Sequence, residues 1–317
     1  MPEPDAAAGP VRQRWWLHGL LFVATCATTF YAGSYLGGQV FSIADGLMFM
    51  AAIMGILLVH EMGHFTAARL HRVDASLPYF IPLPLVGIGT MGAVIRMRQP
   101  PDSREALIDI GAAGPLAGVL VAIPVCWLGL ELSAVTRLDS LPPGAMLEGN
   151  SLLYLGLKQL AHPELGPGDE VMLHPVALAG WLGLLITSLN LMPAGQLDGG
   201  HVLYGLLGDR AHRRVARWVQ RIVLTLALVG LGCSLALKYN PAIAWLEQRG
   251  LLDWALRGAG MMPWIAWTII LRFVGGAHPP VAGAERALSG RRRALGWAAL
   301  GLLVITFSPV FMSQVQL

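Results

Sequence analysis

Two histidines and a glutamate stand in the stretch "LLVHEMGHFTAARL", residues 57–70, as His60, Glu61 and His64. On a helix, residues four apart lie on one face, close enough for both imidazoles to offer a nitrogen to a single ion. Glu61 is turned about 100° from His60, beside such an ion, where its carboxylate can take a proton from a coordinated water. H-E-x-x-H at this spacing points to a hydrolytic zinc site, zinc bringing the pKa of its water from about 16 towards about 7. The surroundings sharpen the reading. Upstream runs "ADGLMFMAAIMGI", and ionisable groups inside so apolar a segment are costly and normally functional.

A catalytic zinc takes three protein ligands and keeps one position open. After His64 the chain reads "FTAARLHRVDASLP", without the second glutamate that would extend the motif. His71 shares the helical face but falls near the membrane edge. The better third ligand is Asp198, in "TSLNLMPAGQLDGGHVLYGLLGD". Here Pro193 and Gly195 break the helix, and Gly199 and Gly200 let the backbone turn, so that Asp198 points into the bundle. His201, beside this turn, is a candidate neighbour of the metal.

The elements that must position these groups are membrane helices. The chain has 317 residues, 55% hydrophobic and 13% charged, about half the charge of a soluble domain. Apolar runs predict about seven transmembrane helices: 17–38, 41–70, 106–130, 171–192, 222–237, 255–274 and 294–311, with a shorter apolar stretch at 201–207. The fold class is an all-α polytopic membrane protein with a small membrane-associated β-hairpin between the second and third spans. Residues 1–16 read as a disordered cytoplasmic tail, and 17–317 as one integral-membrane domain with its core at about 41–208.

Charge sets the orientation. With the N-terminus in the cytoplasm, Arg12, Arg14, the arginines at 69–104, those at 210–221, and Arg272, Arg286 and Arg291 to Arg293 all fall inside. Only Arg137, Lys158, Lys238, Arg249 and Arg257 are left outside, as the positive-inside rule requires. The second and fourth spans then end on the same side, which brings His60, His64 and Asp198 to one depth. The arginines from 210 to 221 read as a stripe facing lipid headgroups. The longest outer loop, Glu131 to Glu170, is too short for an ordinary independent domain. Cys26, Cys126 and Cys233 lie in apolar runs without CxxC spacing and read as packing thiols. A net charge of +3 gives no case for nucleic acid.

H-E-x-x-H in one span, with N-x-x-P-x-x-x-x-D-G (Asn190 to Gly199) closing a later one, resembles the site-2 proteases, the intramembrane zinc metalloproteases of peptidase family M50. The resemblance covers Leu17 to about Gly208. It implies one zinc per chain on His60, His64 and Asp198, Glu61 as general base, and Asn190 contacting substrate or steadying the oxyanion. The implied substrate is a transmembrane or membrane-anchored protein, cut near the cytoplasmic side in regulated intramembrane proteolysis. The expected host is a bacterial cell membrane.

Two further segments fit that family. "GTMGAVIRMRQPP", with Gly89 and Gly92, follows a proline-broken stretch, and Ala93 to Arg98 can extend as a strand. In the family such a hairpin offers an edge to substrate, and strand addition would hold the scissile backbone open. "GAAGPLAG", from Gly111 to Gly118, has small residues four apart and reads as a helix-packing face. There is no room for a PDZ domain between the motifs, so the chain is expected in a PDZ-less branch. The alternative class is a metal-binding membrane transporter or channel. An ion path would string polar residues across the bilayer, whereas here they gather at one depth.

Overall fold

The computed structural model describes residues 14–36, 40–84, 87–99, 101–142, 145–239, 261–274, 278–281 and 287–314. Most of the expected N-terminal tail lies outside them, as does the start of the expected sixth span. Trp15 and Trp16 are already helical, in α1 (Trp15–Gly33).

Helix α2 (Ile43–Leu70) begins where the Ser42 hydroxyl accepts the Asp45 N–H, and α3 (Arg104–Glu131) where Ser103 accepts from Ala106. Each cap satisfies a backbone donor that the first helical turn leaves orphaned. At 28 residues each, both run about 42 Å, more than the roughly 30 Å of a bilayer core. Together with Asp198–Gly232 they are the three described helices long and apolar enough to cross a membrane. The seven expected spans are to be compared with these three. Helix α5 (Pro175–Asn190), in place of the expected fourth span, has 16 residues, about 24 Å.

Helix α3 is central, packed against α2, α5 and α6 (Asp198–Tyr239). Its Val119, Ala122, Cys126 and Leu130 meet Phe49, Ile53 and Ile56 of α2 and Trp181 and Leu184 of α5. The short apolar stretch at 201–207 and the expected fifth span form one helical run, α6, interrupted at Gly208 (φ 76°, ψ 178°). Only a residue without Cβ adopts that backbone at little cost, so the chain bends without a loop. Helices α7 (Met261–Val274) and α8 (Gly290–Thr306) complete the bundle, α7 against α6 and α8 against α3, α5 and α6.

The hairpin is β1 (Tyr79–Pro82) antiparallel to β2 (Thr90–Val94). It starts earlier than the expected strand at 93–98. Beyond Val94 the pairing continues irregularly, through an isolated Ala75–Met97 bridge and the Arg98 N–H donating to the Asp74 carbonyl at 3.0 Å. β1 leans on α1 and β2 on α2.

The segment too short for an independent domain is structured against the bundle. β3 (Ala134–Arg137) pairs with β5 (Asp169–Met172), and β4 (Met146–Glu148) pairs with the distant β6 (Met312–Gln314). Between them α4 (Leu152–Ala161) packs on α3. At its heart Lys158 Nζ lies 2.6 Å from Glu148 Oε1 and 2.8 Å from Glu170 Oε1, and the Tyr154 hydroxyl donates to Glu148 at 2.7 Å. The Trp181 indole N–H of α5 donates to the Gly149 carbonyl at 2.8 Å. Docking on the bundle supplies the core that forty residues alone lack.

Candidate metal centre

The i, i+4 spacing on α2 brings His60 Nε2 and His64 Nε2 to 3.2 Å. Asp198, the first residue of α6, places its Oδ2 3.4 Å from His60 Nε2 and 3.2 Å from His64 Nε2. Among the described residues these three form the only cluster of at least three such donors with ligand atoms within 4.8 Å of one another. Donors about 2.0–2.1 Å from a tetrahedral zinc stand about 3.3 Å apart. The observed triangle has nearly those edges, and three donors leave the fourth corner free. The donor set, two imidazoles and a carboxylate, fits zinc in composition as well as in size.

Each donor is aimed by its neighbours. His64 Nδ1 donates to the Ile110 carbonyl of α3 at 2.8 Å, which leaves Nε2 as the bare nitrogen facing Asp198; such a bond fixes both tautomer and ring orientation. Behind the rings, α3 presents glycines. A Cβ at Gly114 would clash with the Nε2 edge of the His64 ring, one at Gly118 would press on His60 Nδ1, and one at Gly111 would meet the Asp198 carbonyl and His201 Cβ. The face read from sequence as helix packing is therefore also the wall of the donor cluster. The small-residue spacing was the signal, but it could not say what the face opposes.

Asp198 arrives differently from the expected sharp Gly-Gly turn. Gly199 and Gly200 are helical; the turn lies at 191–197, with Gly195 at φ 55°. Their missing side chains serve close approach instead, because a Cβ at Gly199 would overlap the Leu191 carbonyl and one at Gly200 the Gly195 carbonyl.

Glu61 is buried, 4% exposed, and its carboxylate lies near the Ile95 backbone, just past β2. The hairpin thus reaches the residue beside the donor cluster. Asn190, at the end of α5, brings its Nδ2 to 3.5 Å from His60 Nε2. Gly89 and Gly92 stay in the hairpin, outside the donor cluster. The Gly89 carbonyl accepts from the Thr28 hydroxyl of α1 at 2.6 Å, and the Gly92 N–H donates to Thr90 Oγ1 at 3.0 Å. Both have positive φ, 80° and 96°.

His71 is turned to other work. Its Nε2 meets Asp109 Oδ2 at 2.8 Å, and Arg292 of α8 bridges Asp109 and Glu105 at 2.9 and 3.0 Å. These contacts tie the last turn of α2 to the first turns of α3 and α8. His201 turns from the metal donors to His278, Nδ1 to Nε2 at 2.7 Å.

Compared with known proteins, the chain matches the family described as peptidase family M50 over residues 48–231. It is 32% identical over 267 residues to the protein named "Probable zinc metalloprotease EGY1, chloroplastic" of Arabidopsis thaliana, covering 82% of this chain and 42% of that protein. To "Probable zinc metalloprotease EGY2, chloroplastic" of Oryza sativa subsp. indica it is 33% identical over 201 residues, 63% of this chain and 34% of the relative. To the EGY3 protein of the same plant, with the corresponding name, identity is 26% over 286 residues, 84% and 42%. The chain thus spans well under half the length of these curated relatives. No solved structure matches it.

Proposed function

The chain belongs to peptidase family M50, and on that premise we propose that it is an intramembrane zinc metalloendopeptidase cleaving a transmembrane or membrane-anchored protein near the cytoplasmic side. One observation carries the reading. Donor atoms from α2 and from the start of α6, far apart in sequence, meet in a triangle of zinc-sized edges, with a buried glutamate adjoining one of them. The names of the relatives support the same chemistry.

His60, His64 and Asp198 would hold one zinc, which when bound supplies a Lewis acid that acidifies water and polarises a carbonyl. Glu61 takes the proton of the attacking water and returns it to the departing amine nitrogen as the C–N bond breaks. Its burial keeps bulk water from competing for that proton. Asn190 donates an amide N–H to the peptide oxygen as charge builds there. The hairpin holds the substrate as an added strand through β2; Gly89 and Gly92 let it fold against α1 and keep its path clear of side chains. The catalytic unit is the single domain 17–317, with its core at about 41–208.

The sidedness rests on the charge pattern alone. The named relatives are chloroplastic plant proteins, which lends no support to a bacterial host. The deciding experiment incubates purified protein and its Glu61→Gln variant with a transmembrane substrate while zinc content is measured. Cleavage by the zinc-loaded wild type and none by an equally loaded Glu61→Gln supports the reading; equal turnover by both removes Glu61 as base, and metal flux without cleavage favours the transporter.

A further inference from the structure

We propose that His212 is a positioning residue whose imidazole pins the loop that delivers Asp198 to the metal centre. The inference rests on the zinc reading above. Between α5 and α6 the chain makes a buried turn in which Gly195 has φ 55°. A buried carbonyl in such a turn needs a donor. His212, seventeen residues on and past the Gly208 bend, supplies it: Nε2 lies 3.1 Å from the Gly195 oxygen. Because a carbonyl only accepts, Nε2 carries the proton, and Nδ1 is the bare nitrogen.

That nitrogen is buried and has no partner among the described residues, and the side chain is 0% exposed. A leucine would fill such a site without stranding a polar atom, so the bond to Gly195 is what the imidazole contributes. Its direction is fixed by rings on two sides. Tyr204 and His278 meet it edge-on at 5.9 and 5.8 Å between centroids, and His278 in turn stacks on Tyr204 at 4.4 Å and bonds His201. Gly200 abuts the same Gly195 carbonyl, and the Gln196 N–H donates to Val274 of α7 at 3.2 Å. The peptide between Gly195 and Gln196 is thus held at both its carbonyl and its N–H, two residues before Asp198, whose Oδ2 closes the triangle.

The test uses the full chain in detergent, with zinc affinity from chelator competition and the visible spectrum of the Co2+-loaded protein as readouts. Loss of a partner that orients a metal ligand commonly weakens binding 10–100-fold, so His212→Leu is expected to bind zinc about tenfold more weakly and to shift the Co2+ bands. His212→Gln, whose amide can donate from a similar reach, should restore both. His212→Asn, too short to reach, should not, and it carries the decision should the leucine variant fail to fold. Wild-type affinity and spectrum in His212→Leu, or equal weakening in the glutamine and asparagine variants, overturns the positioning role. A wild type that binds no zinc overturns the metal reading itself.

Discussion

Gly114→Ala is the sharpest perturbation the site offers. In an exposed helix the exchange is favourable by up to about 1 kcal/mol. Here the new methyl would clash with the His64 ring, with Nε2, Cδ2 and Cε1 its nearest atoms. α3 cannot retreat, since it packs against α2, α5 and α6 at once. The ring must therefore swing, and swinging breaks the 2.8 Å bond from Nδ1 to the Ile110 carbonyl. Overpacking costs about 1–3 kcal/mol, and an orphaned buried acceptor costs a similar amount. Part of this falls on the metal-free fold and part on the metal. With about 2–4 kcal/mol charged to the ligand geometry, at 1.4 kcal/mol per tenfold, zinc should bind about 30- to 1,000-fold more weakly. The control is Gly55→Ala on α2, where a Cβ meets nothing within 4 Å; zinc affinity should not change. Chelator competition on both purified variants measures the contrast, and thermal unfolding of the metal-free proteins separates global damage from local. Wild-type zinc affinity in Gly114→Ala would refute the claim that α3 forms the wall behind His64.

Glu61→Gln should keep zinc within error and lower turnover of a transmembrane substrate by a factor of about 10²–10⁴, read from single-turnover cleavage; loss of zinc alongside activity would make Glu61 structural. Gly92→Val adds a side chain where there is open space but at a φ of 96°, so substrate cleavage should fall while zinc content holds; parallel loss of both would make the hairpin a structural prop only. Lys158→Met removes the counter-charge of Glu148, whose side chain is 5% exposed, and should destabilise the fold by about 3–5 kcal/mol, seen as a lower unfolding temperature. Burial pushes the Lys158 ammonium down, but the Glu148 carboxylate and hydrogen bonds to Glu148 and Glu170 more than reverse this and raise it above the ordinary lysine value. A raised folded pKa gives stability that is full below the unfolded value, about 10.4, and is lost as pH climbs through the folded one. The gap between wild type and Lys158→Met should therefore stay flat from pH 6 to 9 and narrow only in stronger alkali; narrowing below pH 8 would contradict the assignment.

Sequence periodicity made the donor cluster legible because its chemistry is local. His60 and His64 are one helical turn apart, and Asp198 is announced by the polar and helix-breaking residues around it. What stayed hidden depends on partners far along the chain. β4 forms only because β6, over 160 residues later, lies beside it, so that pairing could not be read within Glu131 to Glu170. The bend in α6 is set by the φ of Gly208, whereas in sequence 201–207 and 222–237 read as two separate apolar stretches. Gly199 and Gly200 look like a turn in sequence and are helical in fact, because glycine marks close approach as well as positive φ.

The glycines of α3 unite the two problems that a buried metal site has to solve. Ionisable side chains inside an apolar bundle are costly unless each finds partners, and partners must come from other helices, which Cβ atoms normally hold about 8–10 Å apart. Gly111, Gly114 and Gly118 fall at i, i+3 and i+7 on one face of α3, and each lies against a different member of the donor cluster: the Asp198 backbone, the His64 ring and the His60 ring. Removing three side chains from that stripe lets the helix come close enough for the Ile110 carbonyl to reach His64. The packing motif and the chemistry are in this way one device: the close approach that stabilises α2 against α3 is the same approach that fixes where the imidazole nitrogens point.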